Sequence, residues 1–186
     1  MNEILRGSSN VNGVCPERVP FALLNEKQQQ ILQYKADGYT GLEIANMIGC
    51  ISVKQVEYLT YSIGCIALNG VRRNYKNGYP RRARIAMVGL IQDGITNGYL
   101  SHDLQGAHVK PLTMRQAEII ELLLASGKTK SEMADHFVVE LNTIRKHIEN
   151  IHKKLGTRNL YHLAARATNL RMNDALRVIR RGKIVQ

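Results

Sequence analysis

The same helix-boundary signature is written twice in this chain, and it leaves few folds open. Asn25-Glu26-Lys27-Gln28 and Thr113-Met114-Arg115-Gln116 both match a capping box, with Leu24 or Leu112 just ahead. An apolar-periodic run follows each, through Ile31, Leu32 and Tyr34 in one and Ile119, Ile120, Leu122 and Leu123 in the other. The runs stop at Gly38 and Gly127, where a left-handed helix end would sit. Both segments then continue as Gly-x-Thr-x-x-Glu-apolar-Ala, through Tyr39-Thr40-Gly41-Leu42-Glu43-Ile44-Ala45 and Lys128-Thr129-Lys130-Ser131-Glu132-Met133-Ala134. Thr40 and Thr129 are expected to cap a second helix, and Ala45 and Ala134 are small where two helices cross closely. The pattern predicts an internal duplication of a small helical module, with copies at about 22–91 and 110–170.

A third helix is expected in each copy, and the second copy's carries the chemistry. In Leu141-Asn142-Thr143-Ile144-Arg145-Lys146-His147-Ile148-Glu149-Asn150-Ile151-His152-Lys153-Lys154-Leu155, the residues Ile144, Ile148, Ile151 and Leu155 share one helix face. The opposite face presents Asn142, Thr143, Arg145, Lys146, Glu149, Asn150 and Lys153. A helix buried on one side and donor-rich on the other suits the major groove of double-stranded DNA. Arg145 could fork onto guanine, Asn142 or Asn150 could pair with adenine, and Glu149 could accept from cytosine, with Thr143 and Lys146 beside them. Lys128, Thr129, Lys130, Lys153 and Lys154 are placed for phosphates, which fix position without reading sequence.

Charge agrees with such a partner. The 186 residues carry a formal net charge of +11. The first hundred hold 11 basic and 7 acidic side chains, the remainder 15 and 8. Excess positive charge favours a polyanion through counterion release. Cys15, Cys50 and Cys65 form no CxxC pair and no disulfide framework, which points to a reducing compartment. The chain lacks an apolar run of membrane-spanning length and a signal-like start, so a cytoplasmic location away from the membrane is expected. The six histidines do not cluster at metal spacing, and no phosphate loop, nucleophile elbow or carboxylate pair stands out. No metal, no cofactor and no enzymatic activity are expected.

On these residues the second copy resembles the helix-turn-helix domain of the LuxR family of bacterial transcription regulators. The resemblance is carried by Leu112-Thr113-Met114-Arg115, Gly127, Glu132, Ala134, Thr143-Ile144-Arg145-Lys146-His147-Ile148, Asn150-Ile151 and Lys154-Leu155-Gly156. It implies four helices, with Thr129 to Phe137 as scaffold, Glu140 to Leu155 as recognition helix and Tyr161 to Leu170 as a closing helix often used for dimerisation. Glu140 departs from the serine that usually caps the recognition helix. Its carboxylate can accept amide hydrogen bonds, yet would repel a phosphate.

The first copy resembles the same family more faintly. Its third helix keeps Ser52, Lys54, Gln55 and Val56 but turns to Glu57, Tyr58, Leu59, Tyr61 and Ile63. A basic loop follows, with Arg72, Arg73, Lys76, Arg81, Arg82 and Arg84 around Tyr75 and Tyr79. Lys54, Gln55 and that loop are secondary candidates for DNA contact, and the copy could bind DNA, mediate dimerisation, or both.

The expected architecture is therefore all-α: two tandem helix-turn-helix, four-helix LuxR-like modules joined by a short linker. A flexible N-terminal arm covers residues 1–21, the divergent module 22–100, the linker 101–111, the second module 112–170 and a basic tail 171–186, for which an amphipathic helix is expected. The short linker predicts modules that are loosely coupled at most. The expected function is a transcription regulator that binds DNA as a homodimer or as a pseudo-dimer within one chain. Two other classes compete with it: a protein-interaction module gripping RNA polymerase or another regulator, and a sequence-tolerant architectural protein coating DNA.

Overall fold

The computed structural model describes residues 21–49, 51–68, 81–101, 109–172, 178–180 and 183–185, excluding the side chains of Ala22, Arg81, Arg82 and residues 178–185. Arg72, Arg73, Lys76, Cys15, Cys50, most of the predicted arm and residues 102–108 of the linker lie outside the described residues. The described chain is mostly helical. A 3-10 turn at Phe21–Leu23 leads into α1 (Glu26–Ala36), α2 (Gly41–Ile48), α3 (Val53–Ala67) and α4 (Arg81–Thr96). After a short strand, β1 (Leu112–Thr113), come α5 (Met114–Ser126), α6 (Lys130–Phe137), α7 (Leu141–Leu155) and α8 (Leu160–Met172).

Local chemistry sets these boundaries. Asn25, Thr40, Ser52, Thr113 and Thr129 each close a full capping box at the start of α1, α2, α3, α5 and α6. In each, the cap side chain accepts from the amide three residues on, whose own side chain accepts from the cap amide. Gly127 ends α5 in the left-handed region at φ 56°. Corresponding positions are buried in the two halves: Leu24 and Leu112, Ile31 and Ile119, Leu32 and Ile120, Ile44 and Met133, Ala45 and Ala134. In the third helices Val56 and Ile63 are buried like Ile144 and Ile151.

The halves are not loosely coupled; they share one continuous apolar core. Helix α8 packs chiefly on α4, and α4 also packs on α3 and α5 while α8 packs on α1. The reason is that α8 cannot be satisfied within its own half. Six successive residues, His162 to Ala167, are all buried, so the helix needs apolar neighbours on every side. Helix α4 is correspondingly apolar, burying Ala83, Met87, Val88, Leu90, Ile91 and Ile95 between its neighbours. Polar ties reinforce the seam: Arg158 Nη2 donates to Glu43 Oε1 at 2.7 Å, and Arg84 Nη2 donates to the Gly127 carbonyl at 3.2 Å.

A mostly helical chain agrees with the all-α expectation, and the C-terminus adds two short strands where the tail helix is expected. Residues Val178–Arg180 (β2) and Lys183–Val185 (β3) are strands, and β2 lies parallel to β1. The register pairs Leu112 with Val178 and Thr113 with Ile179, and Arg180 with Lys183 across the antiparallel β2–β3 pair. The predicted tail helix loses because β-branched Val178, Ile179, Ile184 and Val185 flank Gly182, a composition that favours strands. The β1 segment supplies the partner that a local reading could not see. No helix among the described residues is long and apolar enough to cross a membrane.

Candidate nucleic-acid interface

The geometry is set by α6, the turn after it and α7. Thr129 caps α6, its Oγ1 accepting from the Glu132 amide at 3.3 Å while Glu132 Oε2 accepts from the Thr129 amide at 2.7 Å. The turn passes through Val138, which holds φ 53° and ψ 51° although it is β-branched and fully exposed. Helix α7 then buries Ile144, Ile148, Ile151 and Leu155 along one side. Its last turn ends at Gly156 in the left-handed region, φ 63°.

What faces outward on α7 is the polar set picked from the sequence. Asn142, Arg145, Lys146, Glu149, Asn150 and Lys153 are exposed, and Thr143 is half-buried. Arg145 Nη1 donates to Asn142 Oδ1 at 3.3 Å, one turn earlier on the same face. This contact aligns two side chains that could each read a base edge. At the start of α6, Thr129 and Lys130 are exposed, and Lys128 Nζ lies 3.3 Å from His136 Nδ1. His152 bridges to the end of α7, its Nδ1 at 2.7 Å from Thr157 Oγ1. Burial and, after it, the charge of Lys130 hold the proton affinity of His152 below that of an ordinary histidine.

The N-terminus of α7 differs from the other capped helices. Glu140 is the N-cap by backbone geometry, but its side chain accepts no amide hydrogen bond. The capacity of the carboxylate to accept those amides goes unused. The helix closes instead through its backbone, with the Thr143 amide donating to the Glu140 carbonyl at 3.0 Å. Exposed amides and a positive dipole end are thus available to a phosphate, with a free carboxylate beside them.

Three candidates from the sequence are used differently. Lys154 Nζ donates to the Pro111 carbonyl and to Gln116 Oε1, both at 2.9 Å, tying α7 to the strand ahead of α5. Arg84 turns into the seam towards Gly127, away from any outer basic surface. Gln55 spends its side-chain carbonyl on the Ser52 amide at 2.7 Å, inside a capping box. Lys54 is exposed on α3. Arg81 and Arg82 open α4, with side chains outside the described residues.

The sequence reading missed the seam residues Arg158 and His162 and placed Arg84 in a basic loop. Gly38 and Glu43 were noticed only as helix punctuation. In the fold, a Cβ at Gly38 would lie 2.3 Å from His162 Nδ1, and the Glu43 carboxyl is pulled down to about 2. The Thr40 amide is the main cause of that shift and Arg158 the next. The signal for these partners is spatial, so only the repeat itself hinted at them. No group of three or more His, Cys, Asp or Glu among the described residues could hold a metal ion.

No curated protein and no solved structure matches the chain. A family model does match, that of the bacterial regulatory proteins, luxR family, and it covers residues 110–167. The matched segment takes in β1, α5, α6, α7 and the first half of α8, which includes the whole exposed polar face described above. Residues 110–167 are therefore a LuxR-family helix-turn-helix domain, the DNA-binding unit of bacterial transcription regulators.

Proposed function

We propose that this chain regulates transcription by reading a specific double-stranded DNA sequence in the major groove with α7. The observation that carries the reading is the division of α7 into a buried isoleucine and leucine side and an outer face of Asn142, Arg145, Lys146, Glu149, Asn150 and Lys153. Arg145 reads guanine through its fork, Asn142 and Asn150 read adenine, and Thr143, Lys146 and Glu149 shape the remaining preference. Lys128, Thr129, Lys130 and Lys153 hold phosphates, with Lys154 acting mainly on the fold. Helices α1–α4 are a divergent copy of the same helix-turn-helix module. The paired capping boxes and the corresponding buried positions support this. The protein works where bacterial DNA is, in the cytoplasm.

The test is selection of bound sequences from a random duplex pool at near-physiological salt, with Arg145→Ala in parallel. A recovered motif that the variant loses at one base position supports the reading. Salt-sensitive binding with no motif refutes sequence-specific recognition and leaves an architectural role.

A further inference from the structure

We infer that the chain is its own dimer and that only one half of it reads bases, so that a single chain recognises one unrepeated half-site. This rests on the function proposed above and adds to it the stoichiometry and the shape of the target.

The first part follows from how the halves meet. Exchanging α1–α4 with α5–α8 preserves which helices meet across the seam. Helix α4 lies on α8, and each first helix, α1 or α5, lies on the fourth helix of the other half. The close approaches at the two glycines follow the same exchange. The glycine after α1, Gly38, sits against the His162 ring from the first turn of α8. The glycine after α5, Gly127, accepts from Arg84 in the first turn of α4. Such reciprocity defines an isologous, two-fold-like interface, the kind that closes a pair and leaves no open end. Helix α8 has used its surface on the seam, since His162 to Ala167 are buried without interruption. A second chain could pair there only by displacing α4.

The second part follows from the two third helices. They are 15 residues each, and their N-caps Ser52 and Glu140 set a common register. Val56, Thr60 and Ile63 are then buried where Ile144, Ile148 and Ile151 are. In that register Glu57 stands for Arg145, Tyr58 for Lys146, Tyr61 for Glu149, Ser62 for Asn150 and Cys65 for Lys153. The fork that could take guanine is replaced by a carboxylate, which repels the phosphates flanking the groove and is felt by Lys35 on α1. Cys65 is buried. Lys54 alone adds a cation at the start of the face, enough to steady the duplex but not to read it.

The experiment uses the full chain. Sedimentation, free and on the selected duplex, should give one chain alone and one chain per duplex at all concentrations tried. The selected motif should be a single block without an inverted repeat. Mismatches inside it should cost roughly 5- to 150-fold in affinity each. Changes about one helical turn away, beneath α3, should cost less than about threefold, as befits backbone contact. The double variant Glu57→Arg, Tyr58→Lys should then acquire new preferences in that second position while keeping the first. An inverted-repeat motif held by two wild-type chains would overturn this inference and leave the proposed function intact. Absence of any motif would overturn both. The wild-type stoichiometry and motif decide the matter even if the double variant does not fold.

Discussion

Replacing Val138 by glycine should make the protein more stable. Val138 occupies the left-handed region at φ 53° and ψ 51°, and it is the only non-glycine residue with positive φ among the described residues. That conformation costs an L-residue about 1–2 kcal/mol, and a β-branched side chain falls at the upper end. Glycine removes the strain but adds freedom to the unfolded chain, a loss of about 0.5–1 kcal/mol. Little packing is forfeited, because the valine side chain is 89% exposed. The net expectation is a gain of about 1–1.5 kcal/mol, or roughly 2–6 °C in melting temperature for a chain of this size. At the matching position Gly49 ends α2 with a positive φ of 66° as well, although its ψ of 159° differs from the 51° of Val138. Urea unfolding of wild type, Val138→Gly and Val138→Ala would measure it, with alanine falling between the other two. An unchanged or lowered urea midpoint for Val138→Gly would refute the claim that strain is stored in the turn.

Four other outcomes are expected. Glu140→Ser, which places in α7 the cap that Ser52 gives α3, should stabilise the protein by about 0.5–1 kcal/mol and tighten DNA binding by removing a carboxylate near phosphate, as read by melting and by titration of a duplex. Gly38→Ala should destabilise by about 2–3 kcal/mol in urea unfolding, because positive φ and the His162 ring both oppose a Cβ. In DNA titrations Arg145→Ala should lose about 1–3 kcal/mol on the selected site alone, whereas Lys153→Ala should weaken all sequences alike and flatten the salt slope by about one unit. Since folding lowers the Glu43 carboxyl from 4.5 to about 2, its contribution to stability is complete above about pH 4.5 and lost as pH falls towards 2. Urea midpoints between pH 2 and 6 should therefore fall less steeply in Glu43→Gln than in wild type.

The reading surface was legible because its determinants are local. A period of four, three and four along Ile144, Ile148, Ile151 and Leu155 specifies the buried side of α7, and the polar side follows by subtraction. Capping boxes are equally local: those read at Asn25 and Thr113 form, Thr40 and Thr129 cap their helices as expected, and Ser52 adds a further box. The role of Lys154 was hidden because its acceptors, the Pro111 carbonyl and Gln116, arrive from far along the chain. Arg84 looked like part of a basic loop since nothing nearby in sequence marks the Gly127 carbonyl as its target. The seam was misjudged for a related reason: linker length limits how far two units can separate, but their apolar faces decide whether they do. Alanine-rich α8 carried too weak a period to reveal that it would be covered on every side. Tail strands escaped notice because a strand needs an edge, and β1 is two residues long.

The α4–α8 seam also constrains how the protein is made. During synthesis the apolar side of α4, ending at Thr96, has no α8 to cover it until the ribosome reaches Met172. At 5–20 residues per second, that interval is about 4–15 s. Through it, α4 lacks the covering that α8 later supplies, although α1 to α3 are already present. A nascent chain from a neighbouring ribosome on the same message would offer an α8 of its own and could capture α4 first, giving an exchanged dimer with the same contacts. Slower translation between the two helices lengthens the time α4 waits uncovered.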